Sequence, residues 1–197
     1  METVALINRL LDVIELDIAP MTRKEVRRGN KIFGAAILRK SDLSLVIAET
    51  NNEIENPLWH GEMHAIKKLY ERDRASLPPP KDCIFLATHE PCSLCLSAIT
   101  WGGYDNFYYL FSHEDSRDSF AIPHDLRILK EVFTLEPGGY NAKNAYWTSH
   151  DIVQSIATLD RGNRESLLQR IDDITALYAD LSATYQEHKG NAGIPLA

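Results

Sequence analysis

One histidine, one glutamate and two cysteines stand in the pattern HGEMHAI, residues 60–66, followed about thirty residues later by EPCSLC, residues 90–95. His60, Cys92 and Cys95 supply three ligands of the kind zinc prefers, and three protein ligands leave the fourth tetrahedral position open to water. Two thiolates cancel the formal charge of Zn²⁺ while the imidazole stays neutral, and water at such a centre loses a proton near neutral pH. Glu62 is the group placed to take that proton and hand it on. The pattern predicts one Zn²⁺ per chain, held by His60, Cys92 and Cys95, with Glu62 as general acid and base.

The elements that carry these residues are constrained by the same spacing. Cys92 and Cys95, three apart in the first turn of a helix, share a face, and the helix N-terminus favours their thiolate forms. His60 and Glu62, two apart, share no face inside a regular helix, so they must lie at its mouth. The expectation is two helices, one opened by His60 and one by Cys92, with both N-termini converging on one metal.

Along the chain, Val4, Ile7, Leu10, Leu11 and Ile14 predict a helix over about 2–18 that Pro20 closes. Apolar runs at 31–40 and 43–51, separated by Ser41-Asp42, predict a strand hairpin. A helix follows from His60 to about Arg74, stopped by SLPPP, then a strand over 82–90, a Pro-started helix over 91–103 and a strand over 106–112. PHDLRILKEVF, 123–133, reads as a short helix running into a strand, and 137–149 reads as a loop without clear function. From Asn163 to about Tyr185, Leu167, Leu168, Ile171, Ile174, Leu177, Tyr178 and Leu181 make a helical stripe. This alternation predicts a three-layer α/β/α sandwich with a central mixed sheet of about five strands and helical extensions at both ends. The 197 residues read as one domain, with a catalytic core over about 30–115 and a C-terminal helical extension over about 150–188.

Over about residues 30–115 the chain resembles the zinc-dependent cytidine deaminase-like superfamily, whose signature is H-x-E followed by P-C-x-x-C. The resemblance implies the cytidine deaminase-like fold, zinc on His60, Cys92 and Cys95, and Glu62 as the proton shuttle. FGAAI and EPCSLCLSAITWGG look most similar to the bacterial guanine deaminase and tRNA adenosine deaminase branch. That implies hydrolytic deamination of a purine-type ring, either a free base such as guanine or a nucleoside. The alternatives are a tRNA adenosine deaminase and a cytosine or cytidine-type deaminase. In that branch an asparagine after the second strand touches the base, and Asn51 in ETNNEIENPLWHGE matches it. The resemblance also implies a homodimer in which the partner chain helps to shape each pocket. Three departures stand out: Ile32 replaces the usual Pro, Gly61 replaces the usual Ala, and the loop after Asn51 is short.

Other readings of these residues stand beside that one. His64 lies four residues from His60, as in zinc proteases, but Gly61 stands where those need glutamate. A structural zinc knot, the basis of a zinc-stabilised interaction module, would use a fourth Cys or His. Cys83 in CIFLA reads as a small buried hydrophobe. His89 reads equally as a substrate contact or a structural hydrogen bond. Trp101, Phe107, Tyr108 and Tyr109 read as packing in the core or at a subunit interface.

Acidic residues outnumber Lys plus Arg by 28 to 21, for a net charge of −7, which favours a small amine-bearing heterocycle over nucleic acid. The local exception, Arg23, Lys24, Arg27, Arg28 and Lys31, reads as a solvated helix end or loop, with a phosphate patch as the alternative. No apolar stretch is long enough for a bilayer span, the acidic start does not read as a signal peptide, and three cysteines make no disulfide framework. A cytoplasmic location is expected.

Overall fold

Five strands form one sheet in the order β2-β1-β3-β4-β5. They are β1 (Gly34–Arg39), β2 (Leu45–Thr50), β3 (Cys83–His89), β4 (Asn106–Phe111) and β5 (Thr148–Asp151). β1 runs antiparallel to β2 and to β3, whereas β3, β4 and β5 are parallel, so the sheet is mixed as expected. The computed structural model describes residues 3–135 and 139–196. Residue 2 of the expected first helix, and residues 137 and 138 of the expected loop, lie outside the described residues.

Side chains alternate across a strand, and here both faces are apolar. Ala36, Leu38, Ile84, Leu86 and Leu110 enter one core, and Ala35, Ile37, Phe85, Phe107 and Tyr109 enter the other. The first core is covered by α1 (Val4–Asp12), α2 (Ala19–Val26), α7 (Ile152–Ala157) and α8 (Arg161–His188). The second is covered by α3 (Gly61–Tyr70) and α4 (Ser93–Trp101). α5 (His113–Asp118) and α6 (His124–Phe133) lie in the connection from β4 to β5. The result is the expected three-layer α/β/α sandwich.

Three local expectations differ from what is observed. Pro20 does not close the first helix: a π-helical segment, Val13–Ile18, intervenes, and the Ala19 N–H reaches back to the Ile14 carbonyl. A restart there places Pro20 in the first turn of α2, where a missing N–H costs nothing. The segment 123–133 is helical, with no strand, and only Leu129 of α6 is buried. The fifth strand instead comes from the end of the expected loop, where Thr148–Asp151 pairs with β4.

Candidate functional site

His60 is the N-cap of α3 and Cys92 the N-cap of α4, each with extended backbone, so the chain delivers both residues at helix mouths as their spacing predicts. The donor atoms of His60, Cys92 and Cys95 all lie within 4.8 Å of one another. His60 Nδ1 is 3.4 Å from Cys92 Sγ and 3.8 Å from Cys95 Sγ. Two sulfurs and one imidazole nitrogen at these separations suit a tetrahedral ion such as Zn²⁺, and the group is positioned to bind one. Among the described residues no fourth His, Cys, Asp or Glu joins the set.

Glu62 sits in the first turn of α3 and is buried, and the Cys95 thiol donates to its Oε2 at 3.3 Å. Burial, reinforced by the negative charge of Cys92, pushes the Glu62 carboxyl up to about 7. Burial opposes charge on His60, but the hydrogen-bonded Cys92 thiolate overrides it and holds the imidazole at about 9. Hydrogen bonding from Cys95 lowers Cys92 well below the usual thiol range, while burial and then Cys92 itself raise Cys95.

Two glycines bring α3 onto the sheet. A Cβ on Gly61 would lie 2.6 Å from the Gly34 Cα, so the helix mouth touches β1 backbone to backbone. Asn51, fully buried after β2, accepts the Gly61 N–H at 2.6 Å through Oδ1 and donates through Nδ2 to Glu53 at 2.9 Å. The structure therefore gathers His60, Glu62, Cys92 and Cys95 and sets Asn51 behind α3's mouth, with both ends of its amide engaged. On the other side, the Glu90 N–H donates to the Phe111 carbonyl, Glu90 accepts the His113 N–H, and His113 Nε2 donates to the Pro91 carbonyl. These bonds fix the turn that leads into Cys92.

A niche of about 10 Å³, the scale of one small ion or water, is bordered by His60, Glu62, Cys92, Cys95 and also by Phe33, His89, Glu90 and Asp125. Beyond it opens a cavity of about 390 Å³. Its walls are mainly apolar, with Leu58, Leu94, Ile122, Ile128 and Leu196 contributing, and Asp125 reaches both spaces. Burial and then the Cys92 charge raise the Asp125 carboxyl to about 6. Asp125 was outside the sequence expectation because α6 carries no motif; the signal was only an acidic residue in a helix with a single buried apolar position.

The remaining candidates separate cleanly. His64 is buried on another side of α3, with Nδ1 bonded to the Thr50 carbonyl at 2.9 Å and its ring stacked near Trp59. His89 lies in a ring of Phe33, Phe111, Phe120 and Tyr178, and burial lowers it to about 3, so it is neutral. Its Nδ1 bonds Thr88 Oγ1, and the residue borders the niche. Cys83, Phe107 and Tyr109 pack in the second core and Tyr108 in the first, but Trp101 is 91% exposed on the last turn of α4. The basic cluster is divided: Arg23, Lys24, Arg27 and Arg28 are exposed, while Lys31 is buried against Glu53 at 2.7 Å.

A family model for the cytidine and deoxycytidylate deaminase zinc-binding region matches residues 12–111. A guanine deaminase of Bacillus subtilis strain 168 is 31% identical over 96 residues, which cover 44% of this chain and 54% of the relative. The chain thus spans about half the length of that curated relative. Among solved structures, a guanine deaminase from Nitrosomonas europaea aligns with a TM-score of 0.47 and 16% identity, covering 81% of each chain. The Bacillus subtilis guanine deaminase structure aligns at 0.45 with 24% identity, over 74% of this chain and 99% of that one. A tRNA:A34 deaminase structure aligns at 0.43 with 19% identity, over 67% and 92%.

Proposed function

The chain belongs to the cytidine and deoxycytidylate deaminase zinc-binding family, and from that premise we propose that it is a zinc-dependent hydrolytic deaminase of a nucleobase-like ring. The observation that carries the proposal is the buried Glu62 carboxylate beside the His60, Cys92 and Cys95 donor set, at the inner end of an apolar cavity. Zinc held by those three residues supplies the Lewis acidity that makes water a nucleophile near neutral pH.

Glu62 takes one proton from the attacking water and delivers it to the ring nitrogen next to the amine-bearing carbon. It then carries the second proton to the amine, so that ring-C–NH2 plus water becomes ring-C=O plus ammonia. Burial favours the neutral acid of Glu62, so the group can give back the proton that it takes. The apolar walls exclude competing water and hold the flat faces of a heterocycle. Asp125, across the cavity, accepts an N–H from the ring edge, which suits a donor-rich base such as guanine. Lys31 is engaged by Glu53, and the cavity is mainly apolar, so an unphosphorylated base fits better than a nucleotide. Asn51 acts by holding the mouth of α3.

The test is ammonia release by the full-length, zinc-loaded chain on guanine, adenine, cytosine, their nucleosides and nucleotides, pterins, triazines and a tRNA anticodon stem-loop. The expected result is turnover of a free purine base above its nucleotide. Activity confined to the stem-loop, or to nucleotides, would overturn the substrate assignment.

A further inference from the structure

The Lys31–Glu53 pair lines the cavity beside His60, outside both the H-x-E and the P-C-x-x-C motifs. Both residues are nearly fully buried, at 5% and 3% exposed. One Glu53 oxygen, Oε1, accepts from Lys31 Nζ at 2.7 Å and stands 3.9 Å from His60 Nε2. The other, Oε2, accepts from Asn51 Nδ2 at 2.9 Å and from the Lys31 backbone N–H at 3.2 Å. The opposite edge of the same imidazole, Nδ1, faces Cys92 and Cys95.

A charge pair so deeply buried contributes little net stability, because losing water costs each ion about what their attraction returns. An apolar pair would fill the same space as well. What an apolar pair would lack is a fixed acceptor behind the metal-facing histidine. A carboxylate in that position favours the tautomer with the proton on Nε2, which leaves the Nδ1 lone pair for a metal and restrains rotation of the ring. The 3.9 Å separation is within ion-pair range but too long for a hydrogen bond, so the restraint is electrostatic in this arrangement. Asn51 completes the device: the loop that places Glu53 behind the His60 ring also grips the Gly61 N–H, the next backbone donor.

We propose that Glu53 is a positioning residue for the metal, fixing the His60 ring so that Nδ1 faces Cys92 and Cys95, and that buried Lys31 in turn fixes Glu53. The inference rests on the zinc site assigned above, and although both residues also line the cavity, its readouts are zinc affinity and site geometry.

The test compares the full-length chain with Glu53→Asp, which keeps the charge but withdraws it from His60 by one methylene, and with the double variant Lys31→Met/Glu53→Gln, which leaves no unpaired buried charge. Zinc affinity is measured by competition with a chromophoric chelator, and site geometry by the visible spectrum of the Co(II)-loaded protein. The double variant should lose roughly 10–100-fold in affinity and show altered Co(II) bands, with Glu53→Asp losing less. A folded double variant within about twofold of the parent affinity, with the same Co(II) bands, would overturn the proposal. Should the double variant fail to fold, Glu53→Asp decides: unchanged affinity and spectrum overturn the proposal, and a loss in both supports it. A parent chain that binds no zinc overturns the functional assignment together with this one, whereas a zinc-binding parent with unaffected variants overturns this one alone.

Discussion

Of the three carboxyl groups that border the niche, Glu62 and Asp125 differ in surroundings, and the difference divides their duties. Glu62 accepts from the Cys95 thiol and is raised to about 7, while Asp125 approaches from α6 and is raised to about 6. For Asp125 the unfolded chain ionises near 3.8 and the folded, metal-free chain near 6, so this group favours the folded state fully below 3.8 and loses that contribution as pH rises through 6. Asp125→Asn should therefore stabilise the metal-free protein by about 2–3 kcal/mol at pH 8, with the gain shrinking towards zero at the acid end. Urea unfolding at both pH values measures it, and a gain independent of pH would contradict the assignment. The His60, Glu62, Cys92 and Cys95 set was legible because ligand spacing leaves few solutions. Asp125, and the pairing of Lys31 with Glu53, were not, because each meets its neighbours across long stretches of chain with no local period to betray them.

At the scale of elements, the site depends on how closely α3 approaches β1. Gly61 stands where the resembled family usually has alanine, and a methyl there would meet the Gly34 backbone at 2.6 Å. No rotamer relieves a Cβ clash with backbone. Gly61→Ala gains up to about 1 kcal/mol in helix propensity and loses roughly 1–3 kcal/mol to overpacking, so a net destabilisation of up to about 2 kcal/mol is expected, with weaker zinc binding as the mouth of α3 shifts. Thermal unfolding and a zinc titration check this, and unchanged values in both would contradict the close approach. The strands β1 to β4 and the helices α3, α4 and α8 were legible from apolar period. β5 was not, since all four of its residues are only partly buried. Pro20 misled because a π-helical segment lets the chain restart as helix around it. The segment 123–133, read as a helix running into a strand, is helical through Phe133, and of α6 only Leu129 is buried.

At the scale of the molecule, the two helical extensions pack together on one face of the sheet. Arg170 of α8 pairs with Asp12 of α1 and with Glu15, and Tyr178, fully buried, brings its ring to 5.5 Å from His89 at the floor of the site. The apolar stripe of α8 was legible in the sequence; the face that receives it was not, because a stripe does not say which core it completes. A net charge of −7 and the mainly apolar cavity favour a small neutral ring over a polyanion, and no helix among the described residues is long and apolar enough to cross a membrane. The most direct measurement is zinc content and ammonia release from guanine for the parent chain and Glu62→Gln, side by side. The account predicts one zinc per chain in both and a fall in turnover of about 10²–10⁴-fold in the variant. Equal turnover by the zinc-loaded variant, or a zinc-loaded parent that releases no ammonia from guanine or any other amine-bearing ring, would contradict it.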